Sequence, residues 1–357
     1  MQENIKKILE VAILAPSGEN CQPWRFEVKE NKIDIFNIPE RDTSLYNFHQ
    51  YGSYVAHGAL IENILIASSA FGYITRIELF PNSKNINHTA TILLEKVDPE
   101  EKELYSYIKK RVTNRKPFSK TKLTNEQKQG LENVVSQVSK GVELKLVDNP
   151  DQIKKLAKAL TVSDRILFEN KELHDFLFSH ISWTKEESEQ RKSGFYIKEL
   201  ELAPPQEKAF KLFTNWNILN FFNKIGFSKI AAKGNIKLYS SCAAIGIITA
   251  FSNEPRDFVI GGRAMQKVWL QAAKINLSIQ PLTGIIFFMQ RIFAGQAEQN
   301  FSKKHIELIK EAYKTISDVF DLKNRTAAMI FRIGIDGKPS AHSLRKLPKI
   351  IYSELDE

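Results

Sequence analysis

One pattern occurs twice in this chain, and any fold it adopts must accommodate both copies. Gly58 to Tyr73 reads "GALIENILIASSAFGY", and Gly262 to Leu277 reads "GRAMQKVWLQAAKINL". Aligned without a gap, Leu60, Ile61, Ile64, Leu65 and Phe71 fall on Ala264, Met265, Val268, Trp269 and Ile275. The spacing is helical, and Ser68 and Ala272 put small residues on the same stripe. Each segment is therefore expected as a core helix packed closely on a neighbour. Any two amphipathic helices look alike to some degree, so chance likeness stays open as an explanation.

The elements that follow favour duplication. Downstream of each helix lies a β-branched run, "TATILLEKV" from Thr89 and "TAAMIFRIGI" from Thr326. "QPWRFEVKENKIDIFNI" reads as strand, turn and strand, and "VELKLVDNP" as a weaker counterpart in the second half. The halves divide near Tyr105 to Arg111, where no Pro/Gly/Ser-rich linker marks the join, so they are expected to pack rather than flex. Within the second half, Ala157 to Asn235 is a long excursion, polar in its middle and turned by Gly194 and Pro204-Pro205. Such a segment is a lid or binding loop, or a peripheral helical hairpin.

Composition excludes several classes. A 43% hydrophobic and 26% charged chain of 357 residues is globular and large enough for one big domain or two ordinary ones. The amino terminus, "MQENIKKILEVAILAPS", is charged through its first turns and does not read as a signal peptide. The longest apolar stretch, "TGIIFFMQRIF", is too short to span a bilayer and reads as a buried strand or helix turn. Cys21 and Cys242 are far apart, which argues against a disulfide scaffold or thiolate zinc site and fits a reducing cytoplasm. The seven histidines show no metal-binding spacing, so no metal is expected. The net charge of +10 is spread over amphipathic segments such as "KKLAKAL", without the motif or aromatic interleaving of a nucleic-acid binder.

Four stretches stand out as candidates for chemistry. "APSGENCQPWRF", Ala15 to Phe26, bends tightly and then sets an amide and a tryptophan side by side, more than a plain turn needs. In "KKRVTNRKPF", Arg111, Thr113 and Arg115 share one side if the segment is extended, which Pro117 favours. Two guanidinium forks around a hydroxyl suit a phosphate and the polar rim of a nucleotide. A solvated basic turn ending a helix would look the same. "SIQPLTGI" follows the second repeat helix, and its Pro281-Leu282-Thr283-Gly284 turn is expected to aim backbone N–H groups at a ligand. The closing "RIGIDGKPSAHSLRKLP" reads as a strand, a turn at Asp336-Gly337, and a basic tail.

Taken in order, these stretches resemble the nitroreductase superfamily of FMN-dependent oxidoreductases. The mid-chain "RVTNR" is similar to its Acg-like branch, which is associated with duplicated chains and a lid over the flavin. The resemblance touches both ends and the middle, about half the chain. It implies an α+β nitroreductase-like fold: an internally duplicated pseudo-dimer of two antiparallel or mixed sheets with packed long helices, plus a lid-like insertion. The halves would be residues 1–107 and 108–357, with the insertion at about 160–230. By the same resemblance, Arg111 and Thr113 match phosphate-side residues, and Arg115 matches the base near flavin N1 and O2. Pro16, Ser17, Gly18 and Asn20 would pack on the ring, Pro281, Leu282, Thr283 and Gly284 would approach N5, and Arg345 would return to the phosphate, with Lys346 as second candidate. Trp24 and Phe26 would anchor the following strand. Asn235 and Lys237 align too loosely to be assigned.

The first half has the turn but no R-x-T-x-R, and the second has R-x-T-x-R but "LENVVSQVSKG" where the turn belongs. A pseudo-dimeric monomer with one FMN site follows, with further dimerisation open. The resemblance implies hydride transfer from NADH or NADPH through the flavin to a nitroaromatic, quinone or similar small acceptor. No side-chain acid or base is expected to be catalytic; Arg115 supports the charge that reduction places near N1. The alternative is a flavin-sequestering protein with little turnover. Neither nucleic acid nor membrane is expected as a partner. Cys21 is expected as a buried small side chain, although its place in the turn leaves a reactive thiol conceivable.

Overall fold

The repeated pattern becomes the two central helices, Tyr51–Ala70 and Pro255–Lys274. They cross where neither has a side chain. A Cβ on Gly58 would lie 2.0 Å from the Val259 carbonyl oxygen, and one on Gly262 would lie 2.0 Å from that of Val55. Val55 precedes Gly58 by the same three residues as Val259 precedes Gly262, so the contact is reciprocal. The gapless alignment of the two segments thus holds in space, with a pseudo-twofold relation between the helices. Polar groups also tie the crossing: Gln266 Nε2 donates to Asn63 Oδ1 at 2.7 Å, and Arg263 pairs with Glu62 at 3.0 Å.

A computed structural model describes residues 1–100, 103–335 and 337–352. Each central helix serves one sheet. The first is mixed, in the order 350–352, Trp24–Lys29, Lys32–Asn37, His88–Lys96, Tyr73–Leu79. The second is antiparallel, in the order Glu143–Val147, Ala244–Ala250, Thr326–Gly334, Ser278–Pro281. The architecture is α+β and consistent with an internally duplicated, pseudo-dimeric arrangement. Its main apolar core runs through both halves, from Ile5 and Phe26 to Met265 and Phe331.

The expected strands appear: Trp24–Lys29 and Lys32–Asn37 form the hairpin, and Trp24 and Phe26 are buried. The weak candidate at 143–147 is an edge strand. Of the strand and the helix turn left open for "TGIIFFMQRIF", the structure has the helix, extended to ten residues, Gly284–Phe293. Ile285 to Gln290 are all buried, so the first two turns of this helix are enclosed on every side rather than along one stripe. Pro281 ends a strand rather than opening a free turn, and Leu282 N–H donates to the Ile330 carbonyl at 2.8 Å. The Asp336 part of the closing turn lies outside the described residues.

The most consequential strand is the last. Residues 350–352 run parallel to Trp24–Lys29, with Ile350 opposite Phe26. The tail that leaves the second sheet at Gly334 therefore ends as an edge of the first. On its way it passes along the junction between the halves.

Candidate functional site

The turn at 16–20 owes its shape to unusual backbone. Glu19, Asn20 and Gln22 all have positive φ, at 41°, 55° and 54°. Non-glycine residues adopt this region only when their surroundings hold them there. Here the Ser17 hydroxyl accepts from Gln22 N–H at 2.9 Å, and Cys21 N–H reaches the Gly18 carbonyl at 2.8 Å. Gln22 then locks three segments together. Its amide donates to the carbonyls of Asn20 and Lys192, and its Oε1 accepts from Lys346 N–H. Asn20 adds a bond to the Leu344 carbonyl at 2.9 Å.

This turn forms one wall of a cavity of about 410 Å³ between the two halves. Pro16, Ser17, Gly18 and Asn20 line it, and so do Arg111, Thr113 and Arg115. Pro281, Leu282, Thr283, Gly284 and Arg345 close further sides. The glycine crossing forms part of its floor, through Val55, Ala59, Gly262 and Met265. Lys346 is not among the lining residues; Ser343 and His342 line it from the tail instead. Asn235 acts indirectly, donating at 2.8 Å to Asp164, which lines the cavity.

The R-x-T-x-R segment is not a solvated turn. It runs extended past the Ser278–Pro281 strand, with Thr113 bridged to Ile279, and Arg111 is buried. The Arg111 guanidinium sits 4.6 Å over the Trp269 ring and donates to the Leu14 carbonyl at 2.9 Å. Its Nε has no partner, and among the described residues Arg111 forms no ion pair. Burial, with the neighbouring Arg345 adding repulsion, pushes it down to about 9; burial pushes Arg345 down to about 10. Both remain cations at neutral pH. A buried guanidinium without a counter-ion, next to a half-buried second one, is costly unless an anion joins them.

Arg115 stands apart from that pair. It donates to the Glu199 carbonyl at 3.0 Å and lies 5.0 Å over the Phe195 ring. Both partners belong to the excursion, which covers the cavity with Leu173, Phe176, Leu177 and Phe195. The cover is tied to the tail as well, since Ser340 and Ser343 donate to Glu201 and Glu199.

Three acidic side chains in this region escaped the sequence reading. Burial and the neighbouring Asp42 carboxylate raise Glu19 from 4.5 to about 8, against the opposing pull of Arg115. Burial also raises Asp42, which accepts from the Ser44 hydroxyl at 2.7 Å. Desolvation raises Asp164, half-buried at the cavity, to about 6. Cys21 is buried, and desolvation with the same carboxylates pushes its thiol far up, so it is not a thiolate nucleophile.

The Glu19 shift has a consequence for stability. The folded chain keeps a proton that the unfolded chain releases above about pH 4.5, so this group lowers stability as pH rises from there to about 8. Glu19→Gln removes the effect. The melting-temperature advantage of the variant should grow between about pH 5 and pH 8. An equal difference at both pH values would rule out the shift.

A family described as "Putative TM nitroreductase" matches residues 1–52, the part that carries the turn. An uncharacterized protein of Mycobacterium tuberculosis is 25% identical over 350 residues, which is 95% of this chain and 47% of that protein. Another protein of that organism, named "Putative NAD(P)H nitroreductase acg", is 31% identical over 90 residues, 25% of this chain and 27% of its own length. The chain is similar to nitroreductase-type proteins. It spans about half or less of the length of these relatives. Among solved structures, an FMN-bound nitroreductase from Bacteroides fragilis aligns with 69% of this chain and 94% of its own, at 8% identity and a TM-score of 0.38. Overlap that loose carries no argument about the site.

Proposed function

We propose that this chain is an FMN-dependent oxidoreductase of nitroreductase type, with one flavin held between halves 1–107 and 108–357. The observation that carries the reading is buried Arg111, with its unpartnered Nε, beside half-buried Arg345, at a cavity whose other walls include the 16–20 turn and the apolar side chains of the cover. A phosphate answers the charge of the pair, and a flat ring answers the walls. Thr113 lines the same cavity, and the 16–20 turn supplies a further face of it. FMN bound there would accept hydride from NADH or NADPH and pass it to a nitroaromatic, quinone or similar acceptor.

The residues of the chain bind and orient rather than transfer protons. Arg115 would offer positive charge to a reduced flavin, and the Glu199 carbonyl fixes its direction. The apolar side chains of the cover exclude water. We further infer that the chain works as a single copy in the cytoplasm.

The visible absorption spectrum tests this directly. The purified protein, or protein mixed with FMN and desalted, should retain about one flavin per chain. A colourless protein that releases added FMN would overturn the proposal. Rapid mixing with NADH or NADPH then separates an enzyme from a sequestering protein, because only the enzyme bleaches the bound flavin within seconds. The second reading has one observation in its favour, the Phe176, Leu177 and Phe195 cover over the cavity.

A further inference from the structure

The outer side of the cover combines lysines without acidic neighbours in sequence and large exposed apolar groups. From Lys208 to Asn253 there are six lysines, Lys208, Lys211, Lys224, Lys229, Lys233 and Lys237, and no aspartate or glutamate. All six are exposed, and among the described residues none forms an ion pair. Large apolar side chains are exposed among them: Leu212 is 50% exposed, Phe221 62%, Ile225 69% and Ile230 70%. Three of these directly follow a lysine.

The pattern comes from three consecutive helices, Pro204–Leu212, Trp216–Lys224 and Phe227–Tyr239. Their inner sides meet at Phe213, whose ring is 5.5 Å from Phe222 and 4.5 Å from Phe227. Their anchoring groups also point inward. Asn223 donates to the Phe168 carbonyl, Ser228 to Glu169, and Asn235 and Tyr239 to Asp164. The carboxylates beneath are thereby engaged on the inner side and do not offset the lysines outside. Buried Leu219 and Ala232 complete that inner side. The helices are thus seated on the protein by one face, and the other presents aliphatic and aromatic groups fringed by cations.

We propose that this face adsorbs to the surface of an anionic lipid bilayer, without spanning it. No helix among the described residues is long and apolar enough to cross a membrane. The chemistry instead matches interfacial attachment: apolar groups enter the acyl boundary while lysines reach the headgroups. Charge decides against the obvious rival. A second copy of this chain meeting the same face would set lysines against lysines, whereas an anionic surface neutralises them. A nucleic acid would satisfy the lysines and leave four large apolar groups without a partner.

Sedimentation of the full chain with lipid vesicles tests the assignment. The chain should pellet with phosphatidylcholine vesicles containing about a third phosphatidylglycerol, not with phosphatidylcholine alone, and about 0.5 M NaCl should weaken the binding. F221S/I225S/I230S should cut the bound fraction by about tenfold or more with every lysine in place, and K224Q/K229Q/K233Q should do likewise with the apolar groups in place. Both variants alter exposed positions and should melt like the parent. Failure of the parent chain to bind, equal binding to both vesicle types, or unchanged binding by the apolar variant would overturn the proposal. So would a dimer in solution that the apolar variant converts to monomer.

Discussion

Gly262→Leu should leave the chain unable to reach its native state at ordinary growth temperatures, and Gly58→Leu should do nearly as much. At either position the first added carbon meets a backbone carbonyl oxygen of the opposite helix at 2.0 Å, and a backbone cannot swing aside as a side chain can. Relief requires the two central helices to separate, which unpacks the main core on both sides. An expected loss of about 4 kcal/mol or more is a large part of the stability of most domains. Alanine at either site tests the same contact with the least added volume, because its Cβ is the clashing atom. Chemical denaturation measures the loss. A change below about 1 kcal/mol in Gly262→Ala would show that the helices are not in contact there.

The second large effect concerns ligand rather than fold. Arg111→Gln removes a charge that is buried without a counter-ion, so the free protein should keep its melting temperature within a few degrees. FMN affinity should nevertheless fall by about 10- to 100-fold, the worth of one or two charge-assisted hydrogen bonds to phosphate. Arg115→Ala should weaken retention and also slow flavin reduction by NADH or NADPH, since it acts where charge gathers on the ring. Titration calorimetry with FMN, beside thermal melts of the free proteins, distinguishes these results from plain unfolding. Unchanged affinity in Arg111→Gln would remove the phosphate from this end of the cavity.

Much of the site was legible because its parts are local motifs. The bend at 16–20, the alternating Arg111, Thr113 and Arg115, the 281–284 turn and Arg345 were picked out through a family resemblance carried by short stretches, and all of them line one cavity. Glu19, Asp42 and Glu199 were not legible. Glu19 reads as one more surface carboxylate until Asp42 is folded against it, and Glu199 matters only because its carbonyl meets Arg115 from another segment. Lys346, adjacent to Arg345 in sequence, contributes its backbone N–H to Gln22 instead of lining the cavity.

The fold divides in the same way. The paired helices and the 24–37 hairpin follow from periodicity, but Ala244–Ala250 is apolar except at Thr249 and buried throughout. Without alternation or a helical stripe, that run carries no direction in sequence. The terminal strand is too short to signal itself, and its partner lies at the opposite end of the chain.

That terminal strand also sets how molecules can come and go. Residues 350–352 belong to the sheet of the first half while the chain reaches them from the sheet of the second, so the protein is belted across its own seam. Parting the halves like a clamshell would tear out a sheet edge. Whatever enters or leaves the cavity therefore does so with the seam closed, past a cover held by Gln22 to Lys192, by Arg115 to Glu199 and by the tail serines to Glu199 and Glu201.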